Sequence, residues 1–219
     1  MKSPDSDFSQ HVKHPRYGRY PRVTGLDPHP DDSGVHLHWN TRIRTEVQRR
    51  QIRKALGWDP FTFPTGGTVA IQGTAIPADI WRQPNATIPV THYYDLDKVC
   101  RDCQRPFIFF AAEQKHWYEK LQFPLEADAV RCPECRKRSQ VVSRKRRRYE
   151  ALLRLPGRTE EESIELADCC LWLVEEGIFQ RKSLQRVREI VNRIDNSSIV
   201  RRLKIRLHAL ERSEGHSGK

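Results

Sequence analysis

The sequence predicts an α+β fold: short antiparallel strands with one inserted helix at the centre, followed by a small antiparallel helical bundle. Three observations predict it. Two Cys-x-x-Cys pairs, Cys100/Cys103 and Cys132/Cys135, bracket an aromatic run and a helix-like run. Upstream, short β-like runs are separated by Pro and Gly. From Ser143 onward apolar residues recur three and four apart, the period of helices that bury one side.

Taken in order, residues 1–33 hold Pro4, Pro15, Pro21, Pro28 and Pro30 among basic groups, with few apolar residues. They are expected to form an extended, flexible basic arm. Within it PRYGRYPR (15–22) mixes Arg with Tyr, which suits stacking on bases or threading along a surface, and suits an ordinary loop equally well. Residues 34–94 read as a strand, helix and loop region packing on the centre. Residues 34–39 (GVHLHW) alternate like a short strand. Asn40 or Thr41 caps a helix over 42–56, with Ile43, Val47, Ile52 and Leu56 on one side and Gly57 as its stop. Its other face carries Arg42, Arg49, Arg50, Arg53 and Lys54. Strand-like runs follow at 68–71 and 87–90.

The central module spans 95–142. PFIFF (106–110) reads as a strand, and AAEQKHWYEKL (111–121) as a short helix presenting Trp117, Tyr118 and Leu121 to the core. Tyr93, Tyr94, Phe107, Phe109 and Phe110 are core candidates. The bundle spans 143–212. Ser143 is expected to cap a helix to about residue 155, stopped by Pro156-Gly157. Thr159 and Glu162 form a capping box. The helix behind it buries Ile164, Ala167, Leu171 and Val174, with Cys170 alongside. Ser183 caps a helix carrying Leu184, Val187, Val191 and Ile194. Ser197 or Ser198 caps one carrying Ile199, Leu203, Leu207 and Leu210. Short connections imply antiparallel neighbours, and residues 213–219 are expected to fray.

The net charge is +11. Residues 141–158 carry seven basic groups against one Glu, whereas 159–219 balance. Such a concentrated patch raises the local potential, and polyanions respond to that. No run approaches the about 18 apolar residues of a membrane span, and the first residues lack the apolar stretch of a secretory signal. The expected compartment is therefore the cytoplasm. There, paired Cys-x-x-Cys spacing points to metal and away from disulfides. No Ser/His/Asp arrangement, Gly-rich phosphate loop or spaced carboxylate pair stands out, so the reading is a non-catalytic module.

Each Cys-x-x-Cys turn folds back so that both sulfurs face one point. Two turns offer Cys100, Cys103, Cys132 and Cys135 as four thiolates for one structural Zn²⁺, closed to water. Four thiolates also accept iron, but the basic surroundings and the inserted helix favour zinc. Arg101, Arg105, Arg131 and Arg136 flank the ligands and are expected to offset the negative centre. His36 and His38 lie two apart on a strand without a further ligand nearby, and Cys169-Cys170 reads as buried hydrophobe. Twenty-eight residues separate Cys103 from Cys132, more than the about 15–20 of a compact double site.

The string CRDCQRPFIFFAAEQKHWYEKLQF followed by RCPECRKR resembles the probable zinc-ribbon family of small bacterial proteins. The resemblance rests on the two knuckles, the Phe-x-Phe strand, Glu113-Gln114 and the closing Arg136, and covers roughly residues 95–140. It implies the metal and the ribbon fold, and says little about function. The expected partner is nucleic acid, most readily RNA or a ribonucleoprotein, met by Lys137, Arg144, Arg147 and Arg148 with support from Arg49, Arg50 and Arg53. The alternative is a protein–protein adaptor in which the helical bundle holds the partner.

Overall fold

The computed structural model describes residues 1–29, 32–38, 54, 68–84, 89–194 and 198–212. Two compact units divide the chain, Met1–Arg136 and Lys137–Lys219. Within the first unit, β1 (Val69–Ala70), β4 (Leu96–Val99) and β5 (Pro106–Phe109) form one antiparallel sheet in the order β1-β4-β5. A second antiparallel pair joins β2 (Ile76–Pro77) to β3 (His92–Tyr93). The α+β expectation holds, and strands fall inside 68–71 and 106–110. The helix expected over 42–56 lies outside the described residues, as do Arg49, Arg50 and Arg53, the first half of the run 87–90 and the tail 213–219. Residues 34–39 contribute a single parallel bridge, Leu37 to His92, and Trp39 lies outside.

Strand β5 is buried on both faces, which explains its unbroken apolar run. Phe107 and Phe109 pack with Tyr94, Leu96 and the cysteines, whereas Ile108 packs with Phe8, Ile71 and Phe110. The second cluster corrects the expected flexible arm. Phe8 is fully buried and Val12 is 4% exposed. The Val12 N–H donates to the Pro106 carbonyl at 2.8 Å, and Lys2 bridges to Ile71. The segment contains no long helix or strand, as its prolines dictate, but two apolar residues suffice to seat it on the sheet.

Helix α1 (Ala111–Glu119) follows β5 directly, and Phe110 supplies no capping side chain. Asp95 does so from the start of β4. Its carboxylate accepts the Ala111 N–H at 2.7 Å and the Arg22 N–H at 2.8 Å. Burial pushes this carboxyl up to about 6, against the opposing pull of those two N–H groups. Tyr118 is buried and Trp117 half-buried. Leu121 is 48% exposed, contrary to expectation, because the helix stops at Glu119 and Leu121 lies beyond it. Tyr93, Tyr94, Phe107, Phe109 and Phe110 are all core residues.

Helix α2 spans Pro133–Arg154, beginning ten residues ahead of the expected cap at Ser143. The division between the units, at Arg136/Lys137, likewise precedes the expected 142/143 boundary. Proline at a first helical position forfeits no hydrogen bond and presets the backbone angle, so the knuckle flows into the helix with no break for a serine to cap. In the second unit follow α3 (Glu160–Glu175), α4 (Leu184–Arg193) and α5 (Ser198–Arg212). The capping box at Thr159 and Glu162 is present. Ser183 instead ends a 3-10 turn and caps nothing through its side chain. The core joins Tyr149 and Leu152 to Ala167, Cys170, Leu171, Leu173, Leu184, Val187, Val191, Val200, Leu203 and Leu207. Ile164 only packs at its edge, and Val200 takes the place expected for Ile199, which is 47% exposed.

Candidate metal centre

The first knuckle is the turn between β4 and β5. Backbone bonds from the Cys100 N–H to the Arg105 carbonyl (3.0 Å) and from the Gln104 N–H to the Cys100 carbonyl (2.9 Å) close it. Gln104 adopts φ 59°, the left-handed angle that lets so short a turn reverse. The second knuckle is the entry to α2, with Cys132 just before Pro133 and Cys135 in the first turn. The fold thus delivers two cysteines from a hairpin and two from a helix start.

All four Sγ atoms lie within 4.8 Å of one another. Cys103 and Cys132 are 3.8 Å apart at sulfur. A tetrahedron with Zn–S bonds of about 2.3 Å has edges of about 3.8 Å, so this pair already stands at the spacing zinc requires. A disulfide would need about 2.05 Å. Cys100 and Cys132 are fully buried, and the other two half-buried. Four thiolates in that space repel one another unless a cation sits among them, and the residues present fit one structural zinc ion.

Electrostatics prepare the sulfurs unequally. Burial pushes the Cys100 thiol up, but N–H groups of Cys103, Cys132 and Asp102 outweigh it and bring it down to about 6. Cys132 and Cys135 are pushed up, first by burial, with neighbouring sulfurs adding to it for both. The Cys135 N–H points to the Cys132 sulfur, so that thiolate caps the helix it precedes. When bound, the ion supplies fixed geometry and no open position for a reacting water.

Of the four flanking arginines, Arg105 touches a ligand, bonding the Cys103 sulfur and pairing with Glu134. Arg101 and Arg131 turn to Asp102, at 3.7 and 2.7 Å. Arg136 pairs with buried Glu113 at 2.7 Å and lies over the Trp117 ring. Glu113 also meets Nε2 of His14 at 3.5 Å, while Nδ1 of His14 accepts the N–H groups of Arg16 and Tyr17. His14 and Arg136 hold the Glu113 carboxyl below its ordinary range, against its burial. Glu113 therefore ties the N-terminal segment and the second knuckle to α1. The sequence marks Glu113 only within a Glu-Gln pair; its partners lie far away in the chain.

Among the described residues, the four cysteines are the group of three or more potential ligands that converges. His38 is buried, bonded through Nε2 to the Leu125 carbonyl and stacked on Tyr118. Cys169 and Cys170 are buried.

The basic run on α2 divides. Arg148 is bound by Glu165, Lys145 reaches Asp168 at 3.0 Å, and Arg146 pairs with Glu150. The expected anion-facing role of Arg148 thus meets a carboxylate already in place. Lys137, Arg144 and Arg147 are exposed, and none makes an ion pair among the described residues. Arg154 shares that state.

Residues 94–144 match a family described as a probable treble clef domain. No curated protein and no solved structure matches the chain. The matched stretch contains both knuckles, the hairpin and the start of α2, and with its four converging sulfurs this segment is a treble clef zinc-binding module.

Proposed function

We propose that the chain is a non-catalytic, zinc-organised module that engages nucleic acid, RNA or a ribonucleoprotein foremost, through the outer stripe of α2. One observation carries this reading. The cations of α2 that lie near α3 are neutralised by its carboxylates, while Lys137, Arg144, Arg147 and Arg154 are left unpaired and exposed among the described residues. At about 100° per residue those four fall within a stripe about 100° wide. A row of uncompensated cations on one helix face suits phosphate binding, which sets affinity and carries little sequence information. The closed four-sulfur centre supports a scaffolding metal. No helix among the described residues is long and apolar enough to cross a membrane, which is compatible with the cytoplasmic setting such a partner requires.

The test is fluorescence polarisation of the full zinc-loaded protein with labelled RNA, titrated with salt. Arg144→Glu/Arg147→Glu should weaken binding for all sequences alike. It should also lower the salt slope by about one unit for each phosphate no longer neutralised. Unchanged affinity would refute the assignment. The adaptor reading draws on α5, where Ile205 is 68% exposed and Ile199 is 47% exposed. A partner seated on those residues would bind with little dependence on salt.

A further inference from the structure

A groove of about 470 Å³ opens on the first unit, lined by Arg16, Tyr17, Asp79, Arg82, Lys115, His116, Glu119 and Lys120 among others. Its walls are tied together. The Asp79 N–H donates to Glu119 at 2.7 Å, and the Gln122 side chain donates to the Arg82 carbonyl at 2.7 Å. Tyr17 is held against His14 and Phe110, with ring centres 4.7 and 5.4 Å away. The groove is therefore built before any ligand arrives.

Its charge is uneven in a useful way. Four cations face two carboxylates, and both carboxylates are engaged. Asp79 pairs with Arg82 at 3.2 Å, and buried Glu119 pairs with Lys115 at 3.8 Å. Arg16 and Lys120 are exposed and make no ion pair among the described residues; Arg16 lies over the Tyr17 ring at 5.7 Å. Between the lining residues Asp79 and Arg82, in the turn Ile80–Arg82, stands Trp81, which is 91% exposed. Folding ordinarily removes so large an apolar surface from water. A fully displayed indole beside unpaired cations is the pairing that single-stranded nucleic-acid sites use, with bases stacked on aromatic rings and phosphates held by cations. A volume near the low end of about 300–1,000 Å³ admits a nucleotide-sized group and not a duplex.

We infer that this groove is a single-stranded nucleic-acid site, with Arg16 and Lys120 on phosphates and Trp81 stacked on an unpaired base. The segment PRYGRYPR supplies Arg16 and Tyr17 to it. The inference stands apart from the α2 stripe, because its residues belong to the other unit.

The experiment measures binding of a fluorescein-labelled dodecameric oligouridylate to the full zinc-loaded protein at low salt. Trp81→Ala should weaken binding roughly 5- to 150-fold, and Trp81→Phe should restore most of it. Arg16→Ala/Lys120→Ala should weaken binding and lower the salt slope by about two units. An oligoadenylate should respond in the same way, because stacking tolerates any base. Affinity of Trp81→Ala within twofold of the parent overturns the inference. No binding by the parent also overturns it, and leaves this face to a protein partner. If Arg144→Glu/Arg147→Glu alone abolishes binding, the stripe stands and the groove is refuted. If Trp81→Ala alone does so, the groove stands and the stripe is refuted.

Discussion

Replacing Cys132 with Ser should separate what zinc holds from what packing holds. Cys132 is fully buried, packed in a cluster with Val12, Tyr94, Phe107, Phe109 and Ala129. The substitution leaves three sulfurs converging on a point with one ligand missing. A structural zinc contributes about 10–16 kcal/mol of apparent binding free energy at neutral pH. A whole domain is stable by only about 5–15 kcal/mol, so losing the ion is expected to unfold its surroundings. The second unit has a core of its own that contains none of the four ligands. The parent should carry one zinc per chain by elemental analysis and be colourless; a red product would indicate iron. In the variant, hydrogen exchange should show lost protection across 94–132 and kept protection across 160–193. Full protection of 94–132 in metal-free protein would refute the coupling of metal to fold.

Two further outcomes follow from the second unit. Val191 is 2% exposed in its core. Val191→Asp places an unpaired carboxylate there and should cost roughly 3 kcal/mol or more, seen as a lower melting temperature; a normal melt would mean the face is misassigned. Asp168 is held below the ordinary carboxylate range, since bonds from Arg206 and Lys145 outweigh its burial. A carboxyl depressed in the folded state stabilises above its unfolded value of 3.8, and that stability fades as pH falls through the lower folded value. The parent should therefore lose stability toward acid below about pH 4, and Asp168→Asn should flatten that limb. An identical acid profile would remove Asp168 from the account.

The metal centre is legible in the sequence because its chemistry is written locally: two cysteines per turn, at a fixed spacing, each turn closed by its own backbone. The apolar run of β5 and the capping box of α3 are legible for the same reason. The seating of residues 1–29 is not. Phe8 and Val12 look like stray apolar residues in a proline-rich stretch, and their partners Ile108 and Phe107 are distant in sequence. The role of Asp95 is invisible too, since it caps α1 across sixteen positions of chain, outside any local cap pattern. The start of α2 escapes a reading of the residues because a serine cap is a common signal, whereas a thiolate that caps a helix while binding metal is a rare one.

The basic run shows how far one helix can be resolved from residues alone. Five consecutive cations, 144–148, spread around α2 at about 100° each. The buried pair Tyr149 and Leu152 fixes which side faces inward. Lys145 falls between those two in angle, and it meets Asp168 of α3. Arg148 lies about 40° from Leu152, near enough to the inner side for Glu165 to hold it. Arg144 and Arg147 turn further out, and no carboxylate among the described residues follows them. The sequence counts all five alike toward a potential. The fold removes Lys145 and Arg148 by pairing them across helices, and Arg146 pairs with Glu150 along its own. What remains for a polyanion is a narrower row, Lys137, Arg144, Arg147 and Arg154, whose effect on binding should exceed that of the paired cations, because those must first give up a carboxylate.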